Sequence, residues 1–192
     1  LDLIVQTGMA DAISGQLGGL KGNKDAIAET IENNVRSKII KEHLSDPAYY
    51  EKMSALLDEV IAARKAKALE YEDYLKRIAD LARQVQAGQA DGAPAELDSP
   101  GKRALYNNLL VLVSDRVTRR AAEPAPGYRN SVEDEALTLV LRLNEAIRVG
   151  RPDGWRGVLA KEQVIKGLIF KILPDKDEVE RIFLIVKAQG EY

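Results

Sequence analysis

The sequence predicts an all-α fold, an irregular multi-helix bundle of about seven helices in two groups joined by a Gly/Ala/Pro-rich linker. Three observations predict it. Apolar residues recur every third or fourth position, which gathers them on one side of a helix. Alternation of period two, the mark of a half-buried strand, is nearly absent. Asp46-Pro47 and Ser99-Pro100 each set a capping side chain before a proline, and proline suits the first helical position because no backbone donor is needed there.

The elements follow in order. Leu1 to about Leu17 reads as a helix, with Gly15, Gly18, Gly19 and Gly22 forming a loop after it. Asn23 caps the next, whose Ile27, Ile31, Val35 and Ile39 step by four. Behind Asp46-Pro47 come Tyr50, Met53, Leu57, Val60 and Ile61, then Tyr71, Tyr74, Leu75, Ile78, Leu81, Ala82 and Val85. Between those stripes the pattern leaves two options open, because Ala66, Lys67 and Ala68 favour helix while nothing caps a new start. Residues 87–100 are too poor in large apolar side chains to offset chain ordering, so they read as a linker or exposed loop between groups 1–86 and 101–192, which are expected to form one compact helical domain overall. Leu105, Leu109, Leu112, Val113 and Arg116 mark a helix stopped by Glu123-Pro124-Ala125-Pro126-Gly127. Ser131 is expected to cap the next, with Glu133, Asp134 and Glu135 in its first turn, where the helix dipole favours negative charge. Ala136, Val140, Leu143 and Ile147 line that helix up to Gly150-Arg151-Pro152. After the tight connection Gly154-Trp155-Arg156-Gly157, one helix carries Val164, Leu168, Ile169 and Ile172 before Pro174, and a last one carries Val179, Ile182, Phe183 and Val186.

Composition narrows the function. The 192 residues are 45% hydrophobic and 30% charged, with 28 basic against 30 acidic side chains, enough to bury a real core and unlike a disordered chain. No apolar run is long enough for a membrane span or signal peptide, so a cytoplasmic location is expected, with no membrane partner. The absence of cysteine excludes disulfide and thiolate chemistry, and His43 as sole histidine excludes the usual zinc and copper sites. A chain opening on Leu1 without methionine reads as a piece of a larger protein.

Candidate chemistry is sparse. Leu17-Gly18-Gly19-Leu20-Lys21-Gly22-Asn23-Lys24 has neither the spacing nor the hydroxyl of a phosphate-cradling loop. No acidic residue is followed two places on by lysine, as a metal-dependent nuclease of the restriction type would require. Glu70, Glu72, Asp73 and Asp80 lie among lysines and arginines and read as a solvated helix face.

Charge is uneven, however. Residues 1–100 hold 12 basic and 17 acidic side chains, net −5, whereas residues 101–171 hold 13 and 8, net +5. Arg116, Arg119, Arg120, Arg148, Arg151, Lys161 and Lys166 are therefore candidates for contact with DNA phosphate or an acidic partner, alongside Arg142 and Lys171. For Arg119 and Arg120 the alternative is that they complement a helix C-terminus. Tyr49, Trp155 and Arg156 are interaction candidates, since aromatic residues and arginine dominate interfaces, although Trp155 between glycines reads first as a plug at a core edge and Tyr49 is either a rim residue or a contact.

Five strings then carry a resemblance. Ala28-Glu29-Thr30-Ile31-Glu32-Asn33-Asn34-Val35-Arg36 is followed by Asp46-Pro47-Ala48-Tyr49-Tyr50-Glu51-Lys52-Met53-Ser54 and Glu70-Tyr71-Glu72-Asp73-Tyr74-Leu75. Trp155-Arg156-Gly157 with Lys161-Glu162 comes next, and Val179-Glu180-Arg181-Ile182-Phe183 runs on to Lys187-Ala188-Gln189-Gly190-Glu191-Tyr192. In this order they resemble the C-terminal helical region of the R (restriction) subunit of type I restriction-modification enzymes, over roughly Lys24 to Tyr192. The resemblance implies a parent with an N-terminal nuclease domain and ATP-hydrolysing motor domains that pull duplex DNA, a type I site-specific deoxyribonuclease. ATP and Mg would belong to those upstream domains, leaving this chain with no cofactor, no metal and no catalytic residue. Its implied partners are the methyltransferase (modification) subunit complex and the preceding motor domains. The alternative role is sequence-independent binding of the DNA backbone in support of the translocation path.

Overall fold

The computed structural model describes residues 24–88, 94–120 and 128–192, with Lys24, Arg120 and residues 128–130 described by their backbone alone. Among the described residues the fold is all-α, with seven helices and no strand. They are α1 (Lys24–Glu42), α2 (Pro47–Lys65), α3 (Tyr71–Ala87), α4 (Pro100–Arg120), α5 (Tyr128–Gly150), α6 (Leu159–Phe170) and α7 (Lys176–Ala188). The expected helix at Leu1–Leu17, its glycine loop, the Asn23 cap and the Pro124–Gly127 stop lie outside the described residues. The chain divides into two compact units, one of residues 1–43 and 49–93, the other of residues 44–48 and 94–192.

The first unit packs α1, α2 and α3 around Ile31, Val35, Met53, Leu57, Tyr74 and Ile78, the stripes expected from their spacing. The break left open by the sequence is real. The Lys67 amide donates to Arg64 O and the Ala68 amide to Ala63 O, both at 2.9 Å, with Lys67 at φ 54°. That is a Schellman motif, which consumes the last carbonyls of α2 and stops it even though its residues are helix formers. Gly88, at φ 63°, ends α3 in the same left-handed region and donates its amide to Gln84 O.

At the centre of this unit lies an ion-paired node. Arg64 Nε meets Glu32 Oε1 at 2.8 Å and its Nη1 meets Asp25 Oδ1 at 3.0 Å. The Tyr74 hydroxyl donates to Glu32 at 3.2 Å, and the Arg64 guanidinium lies 5.6 Å from the Tyr74 ring centre. Glu32 is only 5% exposed, so these partners offset the cost of burying its side chain. The bond to Glu32 holds the Arg64 guanidinium above its usual range, while burial pushes the Tyr74 hydroxyl up.

The second unit packs α4 to α7 around Leu105, Leu109, Leu143, Ile147, Ile165 and Ile182. Ser99 caps α4 by accepting from the Lys102 amide at 3.3 Å, and Asp175 caps α7 by accepting from Asp177 and Glu178 amides. Two expectations are corrected. Helix α5 starts at Tyr128, so Ser131 lies inside it and the three acidic residues fall beyond its first turn. Tyr128-Arg129-Asn130 contains no breaker, and the helix extends back toward the Pro/Gly stop. Leu97, inside the expected linker, is buried in the second core. Residues 44–48, which the sequence assigns to the first group, are organised with the second: Asp46 accepts from Asn107 at 2.7 Å and Asn108 at 2.9 Å, and Gln189 donates to Ser45 O.

Candidate interaction surface

The connection between α5 and α6 is held by residues 187–192. Gly154 and Gly157, at φ 57° and 78°, let residues 151–158 turn tightly enough to drive Trp155 inward. The indole is 2% exposed, lies 6.0 Å from the Phe183 ring, and donates from Nε1 to Tyr192 O at 2.7 Å. Arg156 stacks 4.6 Å from the Trp155 ring centre and donates to the carbonyls of Lys187 and Gln189. Tyr192 is buried in turn, its hydroxyl donating to Asn144 Oδ1 at 3.2 Å; burial pushes that hydroxyl up. Glu162 accepts from the Gly157 amide and from Lys187, both at 2.8 Å. The Lys187 bond, then the amide, holds the Glu162 carboxyl below its usual range.

This arrangement decides the first group of candidates. Trp155 is a fold determinant, because its ring and its only donor are spent inside the unit. Tyr49 is 4% exposed and donates to Gln84 O at 2.8 Å, so its role as an exposed contact is likewise corrected. Arg156 stays at the surface, but its directed donors are committed to carbonyls.

The basic candidates are scattered over several helices. Arg116 forms a two-pronged pair with Glu178. Lys166 pairs with Glu180 at 2.6 Å, Arg151 donates to Glu191 O, and Lys161 donates to Asp153 O. Arg119 lines a cleft of about 240 Å³ with Arg116 and Arg181, facing Asp115, Asp175, Asp177 and Glu178. Three cations against four carboxylates make that cleft a poor phosphate site. Arg120 lies outside the described side chains. Arg142 and Arg148, both exposed on α5, have no ion-pair partner among the described residues. His43, at 3.6 Å from Glu51, is a surface pairing of the first unit. Among the described residues no group of three His, Cys, Asp or Glu could hold a metal, and no helix is long and apolar enough to cross a membrane.

What the sequence reading missed is apolar. Leu159 (72% exposed), Phe170 (46%) and Leu184 (62%) stand outward on α6 and α7, together with Val164. The expected apolar set of this helix is Val164, Leu168, Ile169 and Ile172; Ile169 is buried as expected, whereas Ile165 and not Val164 fills the neighbouring core position. A signal existed: Leu159-Ala160-Lys161-Glu162-Gln163-Val164-Ile165-Lys166-Gly167-Leu168-Ile169-Phe170 carries apolar residues on more than one face, so periodicity could not choose the inner one. No protein-family profile, curated protein or solved structure matches the chain.

Proposed function

We propose that the chain is the C-terminal helical domain of an R subunit of the type I restriction-modification kind, docking that subunit onto the methyltransferase core. In this reading it performs no chemistry itself. ATP, Mg and DNA cleavage belong to motor and nuclease domains upstream in a parent protein.

One observation carries the reading: strings of the resemblance that lie far apart in sequence meet in space within each unit. In the first unit, Tyr74 of one string donates to Ala28 O and Glu32 of another. In the second, Trp155 reaches Tyr192, Arg156 reaches Lys187 and Gln189, and Glu162 reaches Lys187. Such mutual contacts are what a shared fold would require of its recurring residues, and they support the resemblance better than any single string. Isothermal titration of the chain into a purified type I methyltransferase complex tests the docking role. Binding at low micromolar concentration is expected, and no heat at ~100 μM would reject it.

A second reading, grip on the DNA backbone, draws on exposed Arg142 and Arg148. It requires affinity for duplex DNA that falls steeply with salt as counterions return to the phosphates. A flat salt response removes it.

A further inference from the structure

We infer that the outward face of α6, formed by Leu159, Val164 and Phe170 with Leu184 of α7 beside it, is a docking surface for an acidic amphipathic helix of a partner protein. The inference rests on the docking role proposed above and adds the chemistry of the segment that makes the contact.

The geometry starts from a helix that is apolar on both sides. Ile165 and Ile169 fill the core of the second unit, and the opposite arc holds Leu159, Val164 and Phe170. A helix with apolar residues all round is ordinarily covered on every side. The described structure covers one. Salt bridges fix the neighbouring shoulder: Lys166 to Glu180 at 2.6 Å and Lys187 to Glu162 at 2.8 Å run α6 and α7 antiparallel. Leu184, between Glu180 and Lys187, therefore stands level with the middle of α6. A Cβ at Gly167, between Val164 and Phe170, would meet no atom within 4 Å beyond its own helix backbone, which leaves a dip that an incoming side chain can enter. From Leu159 to Phe170 the face spans ~16 Å, about three helical turns, and with no sheet edge among the described residues the fitting mode is helix against helix.

Charge selects the partner's sign. Residues 156–171 hold four cations, Arg156, Lys161, Lys166 and Lys171, against the single carboxylate of Glu162. Lys166 is neutralised by Glu180 and Glu162 by Lys187. Arg156 and Lys161 bond only to carbonyl oxygens, which satisfies their donors without cancelling their charge. With exposed Lys171 they are three cations with no ion-pair partner among the described residues, and over residues 156–188, which take in α7, seven cations stand against five carboxylates, so the surroundings of the face are net positive. A stripe of leucines flanked by carboxylates complements that pattern in both polarity and sign, and a lysine-flanked stripe is repelled.

The test uses two fluorescent helical peptides of ~18 residues, one of Leu and Glu and one of Leu and Lys with the same apolar stripe, titrated against the 192-residue chain. The Leu/Glu peptide should bind and the Leu/Lys peptide should bind at least about tenfold more weakly. Phe170→Asp and Leu159→Asp should each weaken the Leu/Glu peptide by about tenfold or more with the helicity of the folded chain retained, while Ile40→Asp, exposed on α1, should leave it alone. Lys171→Glu, which leaves the apolar face intact, should narrow the preference for the acidic peptide. Equal binding of both peptides, no binding of either, or full binding by Phe170→Asp overturns the inference. So does concentration-dependent self-association that Phe170→Asp abolishes, because the occupant is then a second copy. Titration of the methyltransferase complex separates the two claims. If that complex binds wild type and Phe170→Asp alike, docking stands and this face is not its site; if only the Leu/Glu peptide binds, the face stands and the docking role fails.

Discussion

In the first unit the buried carboxylate Glu32 is met by a cation, Arg64, steadied by the Tyr74 hydroxyl and Asp25; in the second the buried carboxylate Asp46 is met by the amides of Asn107 and Asn108, and each ion pair among Arg116 with Glu178, Lys166 with Glu180 and Lys187 with Glu162 keeps at least one partner partly exposed. The second unit's inner polar contacts use neutral donors: indole to carbonyl, phenol to amide, and the Asn107 and Asn108 amides to the buried Asp46 carboxylate. Two solutions to the same packing problem appear in one chain. Burying a charge pair adds little net stability because desolvation offsets the attraction, but it makes each partner hard to remove alone. Burying a large aromatic ring stabilises through area and contact, so its loss leaves a void.

The largest effect should come from Trp155→Ala, at about 4 kcal/mol from lost burial and cavity formation, read from urea unfolding. Faster amide exchange over residues 187–192 should accompany it, since Arg156 and Trp155 hold their carbonyls. A change below about 1 kcal/mol would show that the aromatic side of the comparison is wrong.

Next in size, Arg64→Met should cost about 3 kcal/mol by stranding the Glu32 carboxylate. Adding Glu32→Gln should restore much of that loss. If the double variant is no better than the single one, the charged node owes its importance to packing, and the contrast between the units dissolves.

Acid sharpens the difference on the second unit's side. Glu162 has a folded pKa below its ordinary value of 4.5, so its contribution is complete above that value and is lost as pH falls through the lower, folded one. Thermal midpoints of Glu162→Gln should therefore lie below wild type at neutral pH and converge with it in acid. A constant gap between pH 7 and 3 would contradict the assignment.

The smallest effect belongs to the first unit. Lys67 occupies the left-handed region that glycine enters without steric cost, so Lys67→Gly should raise stability by about 0.5 kcal/mol in thermal unfolding. A loss would mean that the turn gains more from the lysine side chain than it spends on φ.

Much of the fold was legible because helices write their inner face into the spacing of apolar residues. Ile31, Val35 and Ile39 in α1, Tyr74, Ile78 and Leu81 in α3, and Val179, Ile182, Phe183 and Val186 in α7 are all buried as spaced. Local signals failed where the deciding partner is remote. Trp155 could be core or contact until the Tyr192 carbonyl, 37 positions away, is brought to it. The break at Lys67 lies in backbone hydrogen bonds among residues whose propensity favours helix, and the start of α5 was masked by a serine that caps well in isolation. Of the candidate surface, the positive charge was legible and its partners were not: Glu178 and Glu180 lie 62 and 14 positions from Arg116 and Lys166. The apolar face of α6 went unseen for the opposite reason, because two stripes on one helix blur each other.

The reach of Trp155 and Asn144 to Tyr192 also sets a timetable for vectorial synthesis. Helices α1 to α3 have all been synthesised by Ala87, whereas the ring of Tyr192 in the second unit is added more than 100 positions later. At ordinary translation speeds that interval is on the order of ten seconds. Over the last part of it, 37 positions for the indole and 48 for the Asn144 amide, both await their partner, so the nascent chain carries a first unit whose helices are complete and a second one still unlatched.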